Sequence, residues 1–396
     1  MNLRNRIKLI PRNHWDYGAG ACITALSNLN RHHSHTANLE TIFHQPPLWT
    51  NTGRTSLFAI LKALELPHGA KVGVPLFCCS VVFNAIRQAG LTPCFIDSNL
   101  NDCNLSADDL RRKRSGLAAL VTVHMFGSPS DLDAILETAE SLPVIEDCAQ
   151  SLFSTYKGKL TGLLTTASFF SFRCGKYISA GEGSAIFCQE TTLKEKLEQI
   201  VATFEGWSTR EMFTHTLATY AKASLYNRPW YGLIGYPVGM RLDQKLNLTA
   251  KGGFKAGKIA STHQALIEKR IPDFHSKIDL QRAHAQLLLK NLVPVNYDLP
   301  YQTEAGTSNW FQFPLRFHNQ QQRDRMTGFL FDQGIDTARY LDDIVVEARS
   351  QYGYTGDCPN AERLSKTILL IPIHYSLPAS DIEYIARSIN QASQTI

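Results

Sequence analysis

The alternation of two kinds of segment between residues 55 and 147 most narrowly limits what this chain can fold into. Short runs rich in apolar residues alternate there with stretches of helical periodicity. This order is typical of βαβ units, which place their strands side by side in one parallel sheet. We predict strands at 72–76, 93–97, 117–124 and 143–147, and helices at 55–66, 80–89, 107–113 and 131–139.

The rest of the chain predicts a second, smaller unit. Two apolar strands, 167–172 and 184–189, continue the first sheet, and long helical regions follow at 193–225 and 259–291. Beyond residue 311, strands at 311–317 and 367–373 mix with helices at 324–333 and 379–392. At roughly 150 residues per domain, 396 residues fit this division. We predict an N-terminal arm (1–48), a large α/β domain (49–250) and a small C-terminal α+β domain (251–396).

Composition excludes several classes of protein. A net charge of +5 with 19% charged residues is too mild for a dedicated nucleic-acid binder. Nine cysteines, without any CxxC pair, indicate reduced thiols rather than disulfides or a zinc site. The longest apolar run, 72–86, contains Pro75 and Asn84 and is shorter than the about 20 residues that span a membrane. We expect a soluble cytoplasmic protein that uses neither metal, membrane nor nucleic acid.

Asp147 is the first candidate for chemistry. It closes the predicted strand 143–147, and Gln150 follows three residues later. In open α/β sheets ligands lie at the carboxyl ends of the strands, so a carboxylate and an amide here favour a binding site. A turn or helix-capping aspartate fits the same pattern.

Lys176 is the second candidate, in the loop after the strand 167–172. Aromatic residues and glycines surround it in the sequence FFSFRCGKYISAGEG. Burial there would lower the pKa of its ammonium group and make it a usable nucleophile and base. A solvated surface lysine is the alternative.

A third feature is the sequence TGRT, residues 52–55, at the start of the first strong helix. Free N–H groups at a helix start can hold a phosphate. Capping by Thr52 is the simpler interpretation. A dinucleotide fingerprint is absent, because Gly18-Ala19-Gly20 has no third glycine at the required spacing and follows no strand.

Taken together and in this order, these features resemble the DegT/DnrJ/StrS family of sugar aminotransferases, which are pyridoxal-phosphate (PLP) enzymes of fold type I. The resemblance runs from about residue 48 to the C-terminus and is weakest between 195 and 300. The similar stretches are TNTGRTSL, GVPLFCCSVVFNAIRQAGLTPCFID, VTVHMFGSPSDLDAI, PVIEDCAQS, SFRCGK with GEGSA, FLFDQGIDTARY, YGYTGDCPNAERL and ILLIPIHYSL.

The resemblance implies a large domain with a mainly parallel seven-stranded sheet and a small C-terminal α+β domain. It implies that Lys176 forms the internal aldimine with PLP, that Asp147 pairs with the pyridinium nitrogen and that Gln150 lies near the phenolic oxygen. It places the phosphate at Ser171 and at the helix start, Gly53, Arg54 and Thr55.

Three departures from the family pattern stand out. The position of the aromatic residue that stacks on the pyridine ring is Cys79, and we expect its thiol over one face of the ring. The segment that normally supplies an asparagine across the dimer survives only as ASTHQA, residues 260–265. The first fifty residues lack the family's common opening.

From the resemblance we therefore expect a homodimeric aminotransferase that moves an amino group from a donor such as glutamate to a nucleotide-linked keto sugar. Another PLP reaction on a related substrate, or a sensor or interaction protein that keeps the fold without catalysis, are the alternatives. Lys251, Lys255 and Lys258 in a glycine-rich linker are candidates to meet the diphosphate.

Overall fold

A computed structural model gives the structure of the chain and describes residues 3–30, 37–239, 253–301 and 303–395. Its central feature is a seven-stranded sheet. The strands of this sheet are β1 (Leu48–Thr50), β2 (Lys71–Pro75), β3 (Thr92–Ile96), β4 (Leu117–Val123), β5 (Val144–Asp147), β8 (Ala167–Ser171) and β9 (Ser184–Phe187). Their order is β1-β9-β8-β5-β4-β2-β3. All neighbours from β3 to β8 pair in parallel, whereas β9 runs antiparallel to both β8 and β1.

Helices cover this sheet and bury apolar side chains against it. Among the described residues up to 239, the α-helices include α1 (Leu3–Ile7), α2 (Ala19–Leu26), α3 (Ala37–Phe43), α4 (Gly53–Ala63), α5 (Ser80–Gln88), α6 (Ala107–Lys113), α7 (Leu132–Ala139), α8 (Thr191–Ala202) and α9 (Thr209–Ser224). Helix α4 shows the local logic. Thr52 caps its N-terminus, and Leu57, Ile60 and Leu61 face the core at helical spacing. The predicted large α/β domain is confirmed.

The C-terminal part of the chain forms a second, antiparallel sheet. It has the order β10-β12-β14-β13. Its strands are β10 (Tyr297–Asp298), β12 (Phe313–Phe317), β13 (Ala338–Arg339) and β14 (Ile368–Ile371). The helices beyond residue 253 are α10 (Ser261–Arg270), α11 (Phe274–Asn291), α12 (Gln320–Asp332), α13 (Ile344–Tyr352), α14 (Pro359–Thr367) and α15 (Ala379–Ser393). The predicted α+β character of this part is confirmed.

The C-terminal part packs against the part that holds the large sheet, and its Ile368 and Leu370 share a core cluster with Val72 and Val74. A small sheet joins β6 (Thr155–Tyr156) and β7 (Lys159–Leu160) to β11 (Gly306–Thr307) from the C-terminal part. The N-terminal segment reaches the same part, because Ile10 forms a parallel bridge with Ile335. The domain boundaries at 48/49 and 250/251 stay predictions, since residues 240–252 lie outside the described residues.

Each of the two long predicted helical regions is divided into two helices. The region 193–225 contains α8 and α9, and a new N-terminus begins at Ser208, whose hydroxyl and the Glu211 carboxylate form a capping box. The region 259–291 contains α10 and α11, with Pro272 between them. Among the described residues, none of the helices is long and apolar enough to cross a membrane.

Candidate active site

Two strand ends and one helix start meet at a single edge of the large sheet. Asp147 ends β5 and Ser171 ends β8, and these strands pair in parallel with Asp147 opposite Phe169. The N-terminus of α4 lies against the same edge. A Cβ atom on Gly53 would stand 3.3 Å from the Phe169 ring and 3.7 Å from the Cβ of Ser171. Three of the stretches that carry the family resemblance therefore converge.

Asp147 is a buried carboxylate with one oxygen in use. Its Oδ1 accepts a hydrogen bond from the Ala149 N–H at 2.9 Å. The other oxygen has no hydrogen-bond partner among the described residues. Burial raises the pKa of Asp147, while the hydrogen bond from Ala149 and the positive charge of Lys176 act in the opposite direction. The second oxygen of the carboxylate can therefore accept a hydrogen bond from an N–H group of a ligand.

The neighbouring Glu146 has a different, structural role. Successive side chains of a strand point to opposite faces, so Glu146 points away from Asp147. Its carboxylate accepts three hydrogen bonds from residues 162–165 and one from His124 at 3.0 Å. His124 Nδ1 accepts the Ser130 N–H, which leaves the proton on Nε2. In the buried cluster of His124, Glu146 and Cys148, the imidazole and the carboxylate are thus already held by hydrogen bonds within the protein.

Lys176 lies in a tight loop directly after β8. Its N–H donates to the carbonyl of Arg173 at 2.9 Å, and Gly175 adopts a positive φ of 86° that favours glycine. The ammonium stands 5.0 Å from the centre of the Phe311 ring and has no hydrogen bond or ion pair among the described residues. Burial lowers the pKa of Lys176 from 10.5 to about 8, against the opposing effect of the Asp147 carboxylate.

The start of α4 offers free donors. Among the described residues the N–H groups of Gly53 and Arg54 have no acceptor, and neither does the Ser171 hydroxyl. The Thr55 N–H differs, because it donates to Thr52 Oγ1 at 3.3 Å. These free donors and the positive end of an eleven-residue helix could hold an anion such as a phosphate.

Gln150 and Cys79 occupy the surroundings of this edge. The Gln150 Oε1 accepts the Phe126 N–H at 3.1 Å, and its Nε2 donates to the Tyr340 hydroxyl at 3.1 Å. Cys79 precedes α5 and is exposed. Its thiol is among the groups that affect the pKa values of both Lys176 and Tyr340. Cys79 thus lies within electrostatic reach of Lys176, and both residues act on Tyr340.

A cavity of about 230 Å³ opens beside Lys176. The C-terminal part of the chain and the N-terminal segment provide most of its wall. Asn13 and His14 come from the segment that precedes α2, and Phe311, Tyr340 and Tyr375 come from the C-terminal part. The cavity therefore lies between the strand ends of the large sheet and the smaller unit.

Sequence reasoning missed most of this wall. Tyr340 lies within the stretch FLFDQGIDTARY, so the resemblance marks its neighbourhood but not its role. Asn13 and His14 carry no sequence signal, because only the fold brings the N-terminal segment to Lys176.

The glycine-rich linker gives no support to a diphosphate site. Lys251 lies outside the described residues. Lys255 forms an exposed ion pair with Glu205 at 2.6 Å. Its backbone carbonyl accepts a hydrogen bond from the Asn51 side chain, beside the start of α4. The segment therefore packs against the start of α4 within the same chain.

Comparison with known proteins decides the family. The pattern of the DegT/DnrJ/EryC1/StrS aminotransferase family matches residues 44–390, most of the chain. The chain belongs to this family. The match begins after the N-terminal segment, so Asn13 and His14 lie outside the part of the chain that this family pattern covers.

Individual relatives and solved structures agree with this membership. The chain is 27% identical over 344 residues to GDP-perosamine synthase of Escherichia coli O157:H7, covering 86% of this chain and 84% of the relative. It is 25% identical over 351 residues to a UDP-N-acetyl-3-dehydro-alpha-D-glucosamine 3-aminotransferase of Acidithiobacillus ferrooxidans, covering 86% and 82%. The fold matches DesV of S. venezuelae with a TM-score of 0.75 at 19% identity, over 95% of both chains.

The backbone and side-chain groups at this site fit PLP. Its phosphate matches the free N–H groups of Gly53 and Arg54, and its pyridinium N–H matches the unpartnered oxygen of buried Asp147. Its aldehyde matches an amine without a partner whose pKa is about 8, that of Lys176. All three kinds of group lie at one sheet edge, as a single ligand requires.

Proposed function

We propose that this protein is a PLP-dependent aminotransferase that transfers an amino group from a donor such as glutamate to a nucleotide-linked keto sugar. One observation carries the proposal. The unpartnered ammonium of Lys176 and the buried carboxylate of Asp147, which influence each other's pKa, lie at the same sheet edge as a free helix N-terminus.

PLP, when bound, supplies a ring that accepts electrons from a carbon next to the amino group. The protein supplies the proton transfers and the charges. Lys176 Nζ takes a proton from one carbon and returns it to another, which requires a neutral amine near neutral pH. Asp147 keeps a proton on the ring nitrogen through its negative charge. Gly53, Arg54 and Ser171 hold the phosphate, and we propose Gln150, Thr55 and Cys79 as further contacts.

The cavity wall favours a neutral, hydroxyl-rich ligand. Arg12 at its edge is neutralised by two hydrogen bonds to Asp336, at 2.6 and 2.8 Å. The Asn13 amide and the His14 ring have no hydrogen-bond partner among the described residues, and burial lowers the pKa of His14, which keeps it uncharged at neutral pH. Neutral donors and acceptors beside aromatic rings suit a sugar ring rather than a diphosphate.

The relatives support the nucleotide-linked form of the substrate. Their names include a GDP-sugar synthase, a UDP-sugar 3-aminotransferase and a dTDP-sugar 4-aminotransferase. We propose the same substrate class here, without choosing among the nucleotides or the positions of amination.

We also propose a homodimer in the cytoplasm. The surface of α9 and the turns after it exposes apolar side chains that a second subunit would cover. They are Phe213, Leu217, Trp230, Leu233 and Ile234. All nine cysteines are free, which supports a reducing compartment.

An amino-transfer assay tests the proposed function. Purified protein loaded with PLP is mixed with glutamate and a panel of nucleotide-linked 3-keto and 4-keto sugars. We expect 2-oxoglutarate and one amino sugar in equal amounts, and none of either with Lys176→Ala. If the PLP-loaded wild type accepts no amino group from any donor tested, the result would instead favour the non-catalytic alternative.

A further inference from the structure

Tyr340 is a side chain in the candidate site for which the family resemblance assigns no role. It follows β13 in the C-terminal part and lines the cavity together with Lys176. Its ring packs edge-on against Phe77 and Phe126, with ring centres 5.9 and 5.2 Å away. These aromatic contacts hold the ring, and so fix the position of its hydroxyl group.

The hydrogen bonds around this hydroxyl determine which way its proton faces. The Gln150 amide is oriented by the Phe126 N–H, which donates to Oε1 at 3.1 Å. Its Nε2 therefore faces Tyr340 and donates to the hydroxyl oxygen at 3.1 Å. The Tyr340 oxygen is thus an acceptor in this contact. Its own proton has no acceptor among the described residues and is available to a ligand.

The groups that face Tyr340 are those expected around PLP. The titratable groups with an electrostatic effect on it are Cys78 and Cys79, at the start of α5, and Asp147, at the end of β5. Burial raises the pKa of Tyr340, so the hydroxyl keeps its proton at neutral pH. A neutral proton donor therefore stands between the Gln150 amide and the cavity beside Lys176.

We propose that the Tyr340 hydroxyl donates a hydrogen bond to the phenolic oxygen of bound PLP and, together with Gln150, sets the proton affinity at the Lys176 nitrogen. This inference rests on the proposed function, because it needs PLP at Lys176. The phenolic oxygen and Lys176 Nζ share a proton once the cofactor is bound. A hydrogen bond donated to that oxygen withdraws electron density from it and so weakens its hold on the shared proton.

A spectroscopic pH titration of the PLP-loaded protein tests the role of Tyr340. The visible absorption band of the bound cofactor changes when the shared proton leaves, and its pH midpoint measures the proton affinity. We expect Tyr340→Phe to raise this midpoint by about one pH unit, a tenfold change, because the phenolic oxygen loses a donor. The substitution keeps the ring that packs against Phe77 and Phe126, so the fold should persist.

Tyr384→Phe is the matched control. Tyr384 is also in the C-terminal part, and its hydroxyl donates to the Gln333 carbonyl at 2.8 Å. This variant loses one hydroxyl hydrogen bond away from the cavity and should keep the wild-type midpoint. Equal midpoints in Tyr340→Phe and wild type, with the band present in both, would overturn the role of Tyr340 alone. A wild type that never forms the band with PLP would overturn the proposed function as well.

Discussion

The pKa of Lys176 leads to a quantitative prediction about how the apo-protein takes up PLP. Only the neutral amine reacts with the aldehyde. Burial lowers the pKa of this group from 10.5 to about 8, a shift that corresponds to roughly 3 kcal/mol against the charged form. At pH 7 the neutral fraction is then about 10%, against about 0.03% for an ordinary lysine, so loading should be roughly 300-fold faster.

The assay is the initial rate of formation of the bound-cofactor absorption band, measured from pH 6 to pH 10.5. We expect the rate to rise about tenfold per pH unit and to level off near pH 8. The negative charge of Asp147 raises the pKa of Lys176, so Asp147→Asn should move the plateau to lower pH. Asp133→Asn, which removes an exposed carboxylate paired with Lys157, should leave it in place.

Two results would refute this reasoning. A rate that keeps rising through pH 10 would show an ordinary, solvated amine at position 176. A plateau that Asp147→Asn moves to higher pH would show that the carboxylate does not act on the ammonium as the structure indicates.

Three further substitutions test individual contacts. Asp147→Asn should slow turnover by about 10²–10⁴-fold while the borohydride-reducible link to PLP persists, because breaking the buried charge pair between Asp147 and the ring nitrogen costs about 3–5 kcal/mol. Single-turnover kinetics measures this loss, and a loss below fivefold would contradict the pairing of Asp147 with the ring nitrogen. Cys79→Phe should tighten PLP binding by about fivefold through regained ring contact, as measured by fluorescence titration, and unchanged affinity would place Cys79 away from the ring. Asn13→Ala should raise the KM for the keto sugar several-fold and leave the glutamate half-reaction unchanged; equal effects on both would remove Asn13 from the sugar site.

The sequence predicts those parts of the fold whose signals are local. Strand and helix periodicity locate β2 to β5 to within about two residues, because each strand is a contiguous apolar run bounded by turns. The three-residue β1 has no such signal and exists only through pairing with β9. The break before α9 depends on the cap at Ser208, which a search for continuous periodicity passes over.

The residues of the candidate site likewise fall into those that a local sequence signal marks and those that only the folded chain brings together. Asp147 and Lys176 follow apolar strands, so the position of strand ends in α/β sheets is enough to mark them. Asn13 and Tyr340 are 327 positions apart and line one cavity, a juxtaposition that only tertiary packing creates. The free N–H groups of Gly53 and Arg54 are a third case. The sequence indicates that Thr52 can cap this helix, but only the structure shows that the Thr52 hydroxyl accepts from the Thr55 N–H and leaves the other two N–H groups free.

The central claim is that Lys176 is the residue that carries PLP. Borohydride reduction of the PLP-loaded protein, followed by proteolysis and mass spectrometry of the peptides, tests it most directly. We predict that the reduced cofactor is found on the peptide that contains Lys176, and that Lys176→Ala still binds PLP but retains none after reduction. Attachment of the reduced cofactor to any other lysine, or its retention in Lys176→Ala, would contradict the account.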